Sequence, residues 1–305
     1  MFKTLRFVLA LFLGALALPL FGGSFAGATS DAKPQCIVSL SPTATETLFA
    51  IGAGPQVQAV DTDSDFPKTG LPAKRINALN PSVEAVLGIC KATASHLSTK
   101  PDLVVISYDA NSIQQKLTNL GVKVLFQDAA TSVGNALSQI RQLGQLTGHV
   151  ASADALSASL SATIKADIKS IPPHPNKKLT VYYEIGTNPY YSLTSQTFVG
   201  SLMKSLGLVN IADAESTTAD AGYPQLSAEY IISANPKLIF LADSQSPASV
   251  AKRAGFNKMS ATEHHNVIEL SADIASRWGP RLGILMNKLT QVVKATLNES
   301  TLWQK

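Results

Sequence analysis

The stretch ASADALSASLSATIKADIKSI, residues 151–171, decides how this 305-residue chain is built. Leu156, Leu160, Ile164 and Ile168 recur every four residues, and small Ala and Ser residues fill most of the intervening positions. That spacing predicts one gently amphipathic helix of roughly 20 residues, about 30 Å long. PPHPNKK (172–178) then stops it. A helix this long, with a different texture on either side, reads as a connector between two lobes.

On its N-terminal side, CIVSL (36–40), VQAV (57–60), LVVI (103–106) and VKVLF (122–126) are short apolar runs of strand character. Helical patterns begin at Ser41-Pro42 and cover 82–88, 111–119 and 131–147. On its C-terminal side the alternation resumes with strands LTVYYEI, LVNI, KLIFLA and NVIEL. Helices are expected at 197–206, 227–234, 247–254 and from about 280. Strands alternating with helices imply mainly parallel sheets covered on both faces. The fold class is therefore α/β, with two Rossmann-like lobes joined by a single long interdomain helix: lobe 29–150, helix 151–171, lobe 172–305. The halves also echo one another. SVEAV…KPDLVVI (82–106) and SAEYIISANPKLIF (227–240) both open a helix with Ser-x-Glu and pass through Pro into a strand, the first copy carrying ten extra residues.

Upstream, Lys3 and Arg6 precede an apolar run from Phe7 to Phe21, and AGA at 26–28 offers a cleavage site. This is the pattern of a secretory signal peptide, residues 1–28. Without Lys3 and Arg6 the formal charge falls from +4 to +2, and no basic stripe interleaved with aromatics appears, which argues against a nucleic-acid partner. Two cysteines, Cys36 and Cys90, remain in an exported chain. Cys36 starts the first strand, and Cys90 ends a helix that runs back to the same sheet edge. A Cys36–Cys90 disulfide pinning the ten-residue insertion is expected.

No nucleophile elbow, phosphate loop, dinucleotide fingerprint or H-E-x-x-H stretch is present, so the chain is read as a non-enzyme without a resident cofactor or metal. His264-His265, His96, His149 and His174 lack the spacing of a joint metal site. Aromatic residues are plentiful instead: Phe66, Tyr182, Tyr183, Tyr190, Tyr191, Tyr223 and Trp278 fall at strand ends and in strand-to-helix loops. Ligands of open α/β sheets bind at the carboxyl ends of the strands. A cleft of ring faces with a few polar groups suits a large flat ligand. Tyr182 and Tyr183 alternate in a strand, so one of them is expected to be core.

Six stretches, IVSLSPTATETLFAIGAG, DSDFP, NPSVEAV…KPDLVVI, NPYYSLTSQTFVGSLMKSLGLVNI, YPQLSAEYIISANPKLI and RWGPRL, together resemble the substrate-binding proteins of cobalamin and iron-chelate ABC importers, the cobalamin binders most of all. The resemblance runs from about Cys36 to the end and implies the helical-backbone class of periplasmic binding proteins. It implies ligand-binding roles for Phe66, Tyr190, Tyr191, Tyr223, Asp273, Arg277 and Trp278. It also implies docking of Glu84 and Glu229 onto a membrane permease dimer. The chain departs from the cobalamin binders at INALNPS (76–82), where they carry a tryptophan. The expected cargo is a corrinoid (cobalamin) captured between the lobes; haem and a ferric siderophore are alternatives, and a secreted hydrolase is a remote one. The protein is expected to act as a monomer in the periplasm or at the extracellular face of the cytoplasmic membrane.

Overall fold

The computed structural model describes residues 33–92, 98–174 and 176–303. The expected leader and His96 lie outside them. Two parallel sheets form the framework. The first has the order β3-β2-β1-β4-β5, from β1 (Ile37–Leu40), β2 (Val57–Asp61), β3 (Arg75–Ile76), β4 (Leu103–Ile106) and β5 (Val124–Phe126). Its helices are α1 (Pro42–Ala50), α2 (Val83–Leu87), α3 (Ile113–Asn119) and α4 (Val133–Thr147).

The connector α5 spans Val150–Lys169. It follows α4 after only Gly148, which takes the left-handed conformation (φ 77°), and His149. The two helices cross closely because Gly144 has no side chain: a Cβ there would stand 2.3 Å from that of Ala153. Leu160 of α5 belongs to the core of the first lobe, and Ile164, one turn on, to the core of the second. The four-residue spacing thus gives one rod two successive anchors.

The second lobe has a four-stranded parallel sheet, β12-β11-β6-β9, from β6 (Thr180–Glu184), β9 (Val209–Asn210), β11 (Leu238–Leu241) and β12 (Val267–Glu269). A small antiparallel sheet, β10-β8-β7, sits beside it, from β7 (Gly186–Thr187), β8 (Tyr190–Tyr191) and β10 (Gln225–Leu226). The helices are α6 (Phe198–Ser205), α7 (Ala228–Ala234), α8 (Pro247–Ala251), α9 (Ser260–Glu263), α10 (Ala272–Ala275) and α11 (Leu282–Asn298). α11 packs on α5. Among the described residues no helix is long and apolar enough to cross a membrane.

Tyr182 and Tyr183 are both fully buried, whereas alternation suggested only one would be. Their strand lies inside a sheet covered on both faces, so opposite sides both meet protein. Cys36 and Cys90 form a disulfide with Cα atoms 6.1 Å apart, joining the start of β1 to the residues after α2.

Candidate ligand site between the lobes

The strands of both sheets carry their loops at their carboxyl ends, and there the lobes meet. Ser41 ends β1 and caps α1, its hydroxyl accepting from the Ala44 amide, with Pro42 at the first helical position. This places Glu46 one turn into α1. A buried hydroxyl chain then ties the loop after β2 to the same helix. The Thr45 hydroxyl contacts Ser39 at 2.9 Å and Ser64 at 2.8 Å, while Ser64 also contacts Asp61. That loop presents Asp63 and Asp65 beside Glu46.

Into this acidic corner the second lobe sends RWGPR. Arg277 Nη1 donates to Glu46 Oε1 at 2.7 Å and to Asp65 Oδ1 at 3.0 Å. Its Nη2 donates to the Asp63 carbonyl at 3.0 Å and to Asp273 Oδ1 at 3.3 Å. Arg281 Nε donates to Glu46 Oε2 at 2.9 Å and its Nη2 to Oε1, while its guanidinium lies 4.7 Å from the centre of the Phe66 ring. Glu46 is only 1% exposed and Arg277 7%. The Lys68 ammonium, and behind it Arg277, hold the Asp65 carboxyl down to about 2. Next to Arg277, Trp278 Nε1 donates to Gln139 Oε1 of α4 at 2.8 Å, and Gly279 lies against Thr43 of α1. The segment is therefore a clasp between lobes, on top of the link through α5.

Beside the clasp lies a recess of about 330 Å³, floored by Tyr183, Leu193 and Phe198, walled by Tyr223 and Trp278, and closed on the other lobe by Ala129 and Ala130. Burial pushes the Tyr183 phenol well above its ordinary range, with Tyr223 adding to the effect, so it is a neutral ring face. Large apolar side chains also stand in solvent after the strands: Leu79 (69% exposed) beyond β3, Tyr108 (62%) beyond β4, Phe126 at the end of β5 and Tyr191 at the end of β8, while Tyr223 is exposed in the recess wall itself.

Of the residues expected to touch ligand, Tyr223, Trp278 and Arg277 line the recess. Tyr191 is exposed near it. Tyr190 instead stacks on Phe256 with ring centres 5.6 Å apart, under Arg253, and so contributes to the core of its own lobe. Arg253 in turn makes a two-pronged pair with the buried Glu184, at 2.6 and 2.9 Å. Phe66 and Asp273 belong to the clasp. Arg277 lines the recess and also donates to Glu46, Asp65, Asp273 and the Asp63 carbonyl. Glu84 and Glu229 are exposed in the first turns of α2 and α7, behind the capping residues Ser82 and Ser227. The Glu84 backbone amide and Ser82 hydroxyl hold the Glu84 carboxyl below its ordinary range.

Sequence reading missed Glu46, whose partners are 231 and 235 residues away. It also missed Leu79, Tyr108 and Phe126. Leu79 lies in INALNPS, the stretch lacking an aromatic, and keeps an exposed apolar side chain there. Among the described residues no three His, Cys, Asp or Glu side chains come together as metal ligands.

Residues 37–274 match the family described as periplasmic binding protein. The chain belongs to that family. This binding protein is 30% identical over 83% of its length to the uncharacterized ABC transporter substrate-binding lipoprotein YvrC of Bacillus subtilis, covering 78% of that protein. It is 28% identical over 83% of its length to a cobalamin-binding protein of Halobacterium salinarum, covering 68% of it. Among solved structures it is similar to a possible iron-binding (periplasmic solute-binding) protein of Staphylococcus epidermidis, with a TM-score of 0.72, 26% identity, and 88% and 100% of the two chains covered. The periplasmic vitamin B12 binding protein BtuF of Vibrio cholerae shares the fold at a TM-score of 0.71 and 22% identity, over 87% of this chain and 99% of that one.

Proposed function

We propose that this protein is the exported substrate-binding component of an ABC importer and that it captures a corrinoid between its lobes. The observation that carries the reading is the mainly apolar recess lined from both lobes, by Ala129 and Ala130 on one side and by the rings of Tyr183, Phe198, Tyr223 and Trp278 on the other. Such a surface gains about 25 cal/mol for each Å² of apolar area it removes from water, and a broad planar ligand offers that area where an ion or a sugar phosphate does not. Relatives named for cobalamin or vitamin B12 binding support the choice of cargo. The leader at 1–28 would direct export and be removed. Glu84 and Glu229, exposed near the N-termini of helices in different lobes, would meet cationic side chains of the permease dimer and set the register of docking.

A second reading is favoured by the exposed phenol of Tyr223 in the wall of the recess. Phenolate oxygen is a ligand for ferric iron, so haem or a ferric chelate would be held there. Absorption spectra and calorimetric titration of the mature protein with cobalamin, haemin and a ferric siderophore separate the two. Tight uptake of cobalamin alone is the expected result. A haem spectrum with a tyrosinate-to-iron band, and no cobalamin uptake, would replace the first reading by the second.

A further inference from the structure

A groove of about 700 Å³ runs along α4 from the end of β5, lined by Phe126, Gln127, Asp128, Asn135, Gln139 and Gln142, among others. Ala129 lines both this groove and the apolar recess, and the Trp278–Gln139 hydrogen bond stands at their junction. The polar lining is dominated by carboxamides, and the hydrogen bonds fix which way three of them point. Gln127 Nε2 donates to the Gln139 carbonyl at 3.0 Å, an atom that only accepts, and to Gln142 Oε1 at 2.9 Å. Gln139 Nε2 donates to the Asp128 carbonyl at 2.9 Å, and its Oε1 accepts from the indole, which only donates. Two atoms are left over with no protein partner among the described residues: Gln127 Oε1, an acceptor, and Gln142 Nε2, a donor.

A primary carboxamide carries one strong acceptor and two N–H donors on a planar head, so it complements that pair. A carboxylate has only acceptors, and would meet the Gln127 oxygen and the Asp128 carboxylate. Arg141, the cation of the groove, is paired with Asp154 at 3.3 Å.

We infer that this groove is a second subsite, taking the amide-bearing edge of a neutral ligand whose ring system lies in the recess, and that it discriminates against ligands whose periphery is anionic. The inference rests on the corrinoid reading, because a corrin is fringed with primary amides whereas a haem carries propionates. Gln142 is exposed, so its replacement leaves the fold intact. Gln142→Glu exchanges one NH2 for oxygen and keeps an acceptor for Gln127; Gln142→Lys supplies a cation.

Calorimetric titration of the mature protein and both variants, with cobalamin, a corrinoid whose peripheral amides are hydrolysed to acids, and haemin, tests this. Wild type is expected to prefer the amide corrinoid. Gln142→Glu should weaken cobalamin about tenfold, and Gln142→Lys should shift the amide-to-acid preference about tenfold towards the acid. If wild type binds cobalamin and neither variant changes that preference, the subsite falls while the corrinoid reading stands. If wild type takes up no corrinoid, both fall.

Discussion

Replacing Glu46 with alanine removes the centre of the clasp. Three charge-assisted hydrogen bonds disappear at once: one from Arg277 and two from Arg281. The two guanidinia fare differently. Arg277 keeps Asp65, the Asp63 carbonyl and Asp273. Arg281 keeps the face of Phe66. Hydrogen bonds to charged groups are worth about 1.5–3 kcal/mol each, and breaking a buried pair by removing one partner costs about 3–5 kcal/mol. The lower half of that range applies, because Arg277 retains compensation. Thermal unfolding of a chain of this size falls by about 2–4 °C per kcal/mol. Scanning calorimetry of Glu46→Ala should therefore show a transition lowered by roughly 6–16 °C. Glu46→Gln should fall by less, since one oxygen still accepts. Asp273→Ala, at a half-exposed carboxylate, should cost no more than about 1 kcal/mol and lower the transition by at most about 4 °C. A Glu46→Ala transition within about 2 °C of wild type would refute the clasp as a link that stabilises the lobes.

The Asp65 carboxyl is held below its unfolded value of about 3.9, so its contribution to stability is present above that pH and is lost as pH falls through about 2. The difference in urea midpoint between wild type and Asp65→Asn should hold from pH 6 to 4 and close between pH 4 and 2. Gly144→Ala places a methyl 2.3 Å from that of Ala153, and should push α4 from α5 at a cost of about 1–3 kcal/mol, read by chemical denaturation. The double variant Glu84→Arg/Glu229→Arg should abolish uptake by cells while changing the ligand Kd less than about twofold; normal uptake would dismiss the docking role.

The framework was legible because each element announces itself locally. Leu160 and Ile164 sit where a four-residue spacing puts them, and Gly148 ends α4 in the conformation that favours glycine. The Cys36–Cys90 pairing followed from which sheet edge each element reaches. The sheet β7-β8-β10 was not legible: its two-residue strands have no alternation to detect, and their pairing joins Tyr190 to Leu226 across 36 positions. Tyr190 shows the limit at the site. A tyrosine after a turn reads as a cleft wall, yet Phe256 and Arg253, distant in sequence, claim its ring. Arg277 shows a similar limit for charge: its neighbour Asp273 is visible in the sequence, but Glu46 and Asp65, which hold it more closely, belong to the other lobe.

The pairing of α5 with the Glu46 clasp has a consequence for traffic. The gap between the lobes is spanned twice, by a continuous rod and by an ionic pin, so opening it requires breaking the pin. On the proposed function, cargo would enter such a gap without the lobes swinging apart.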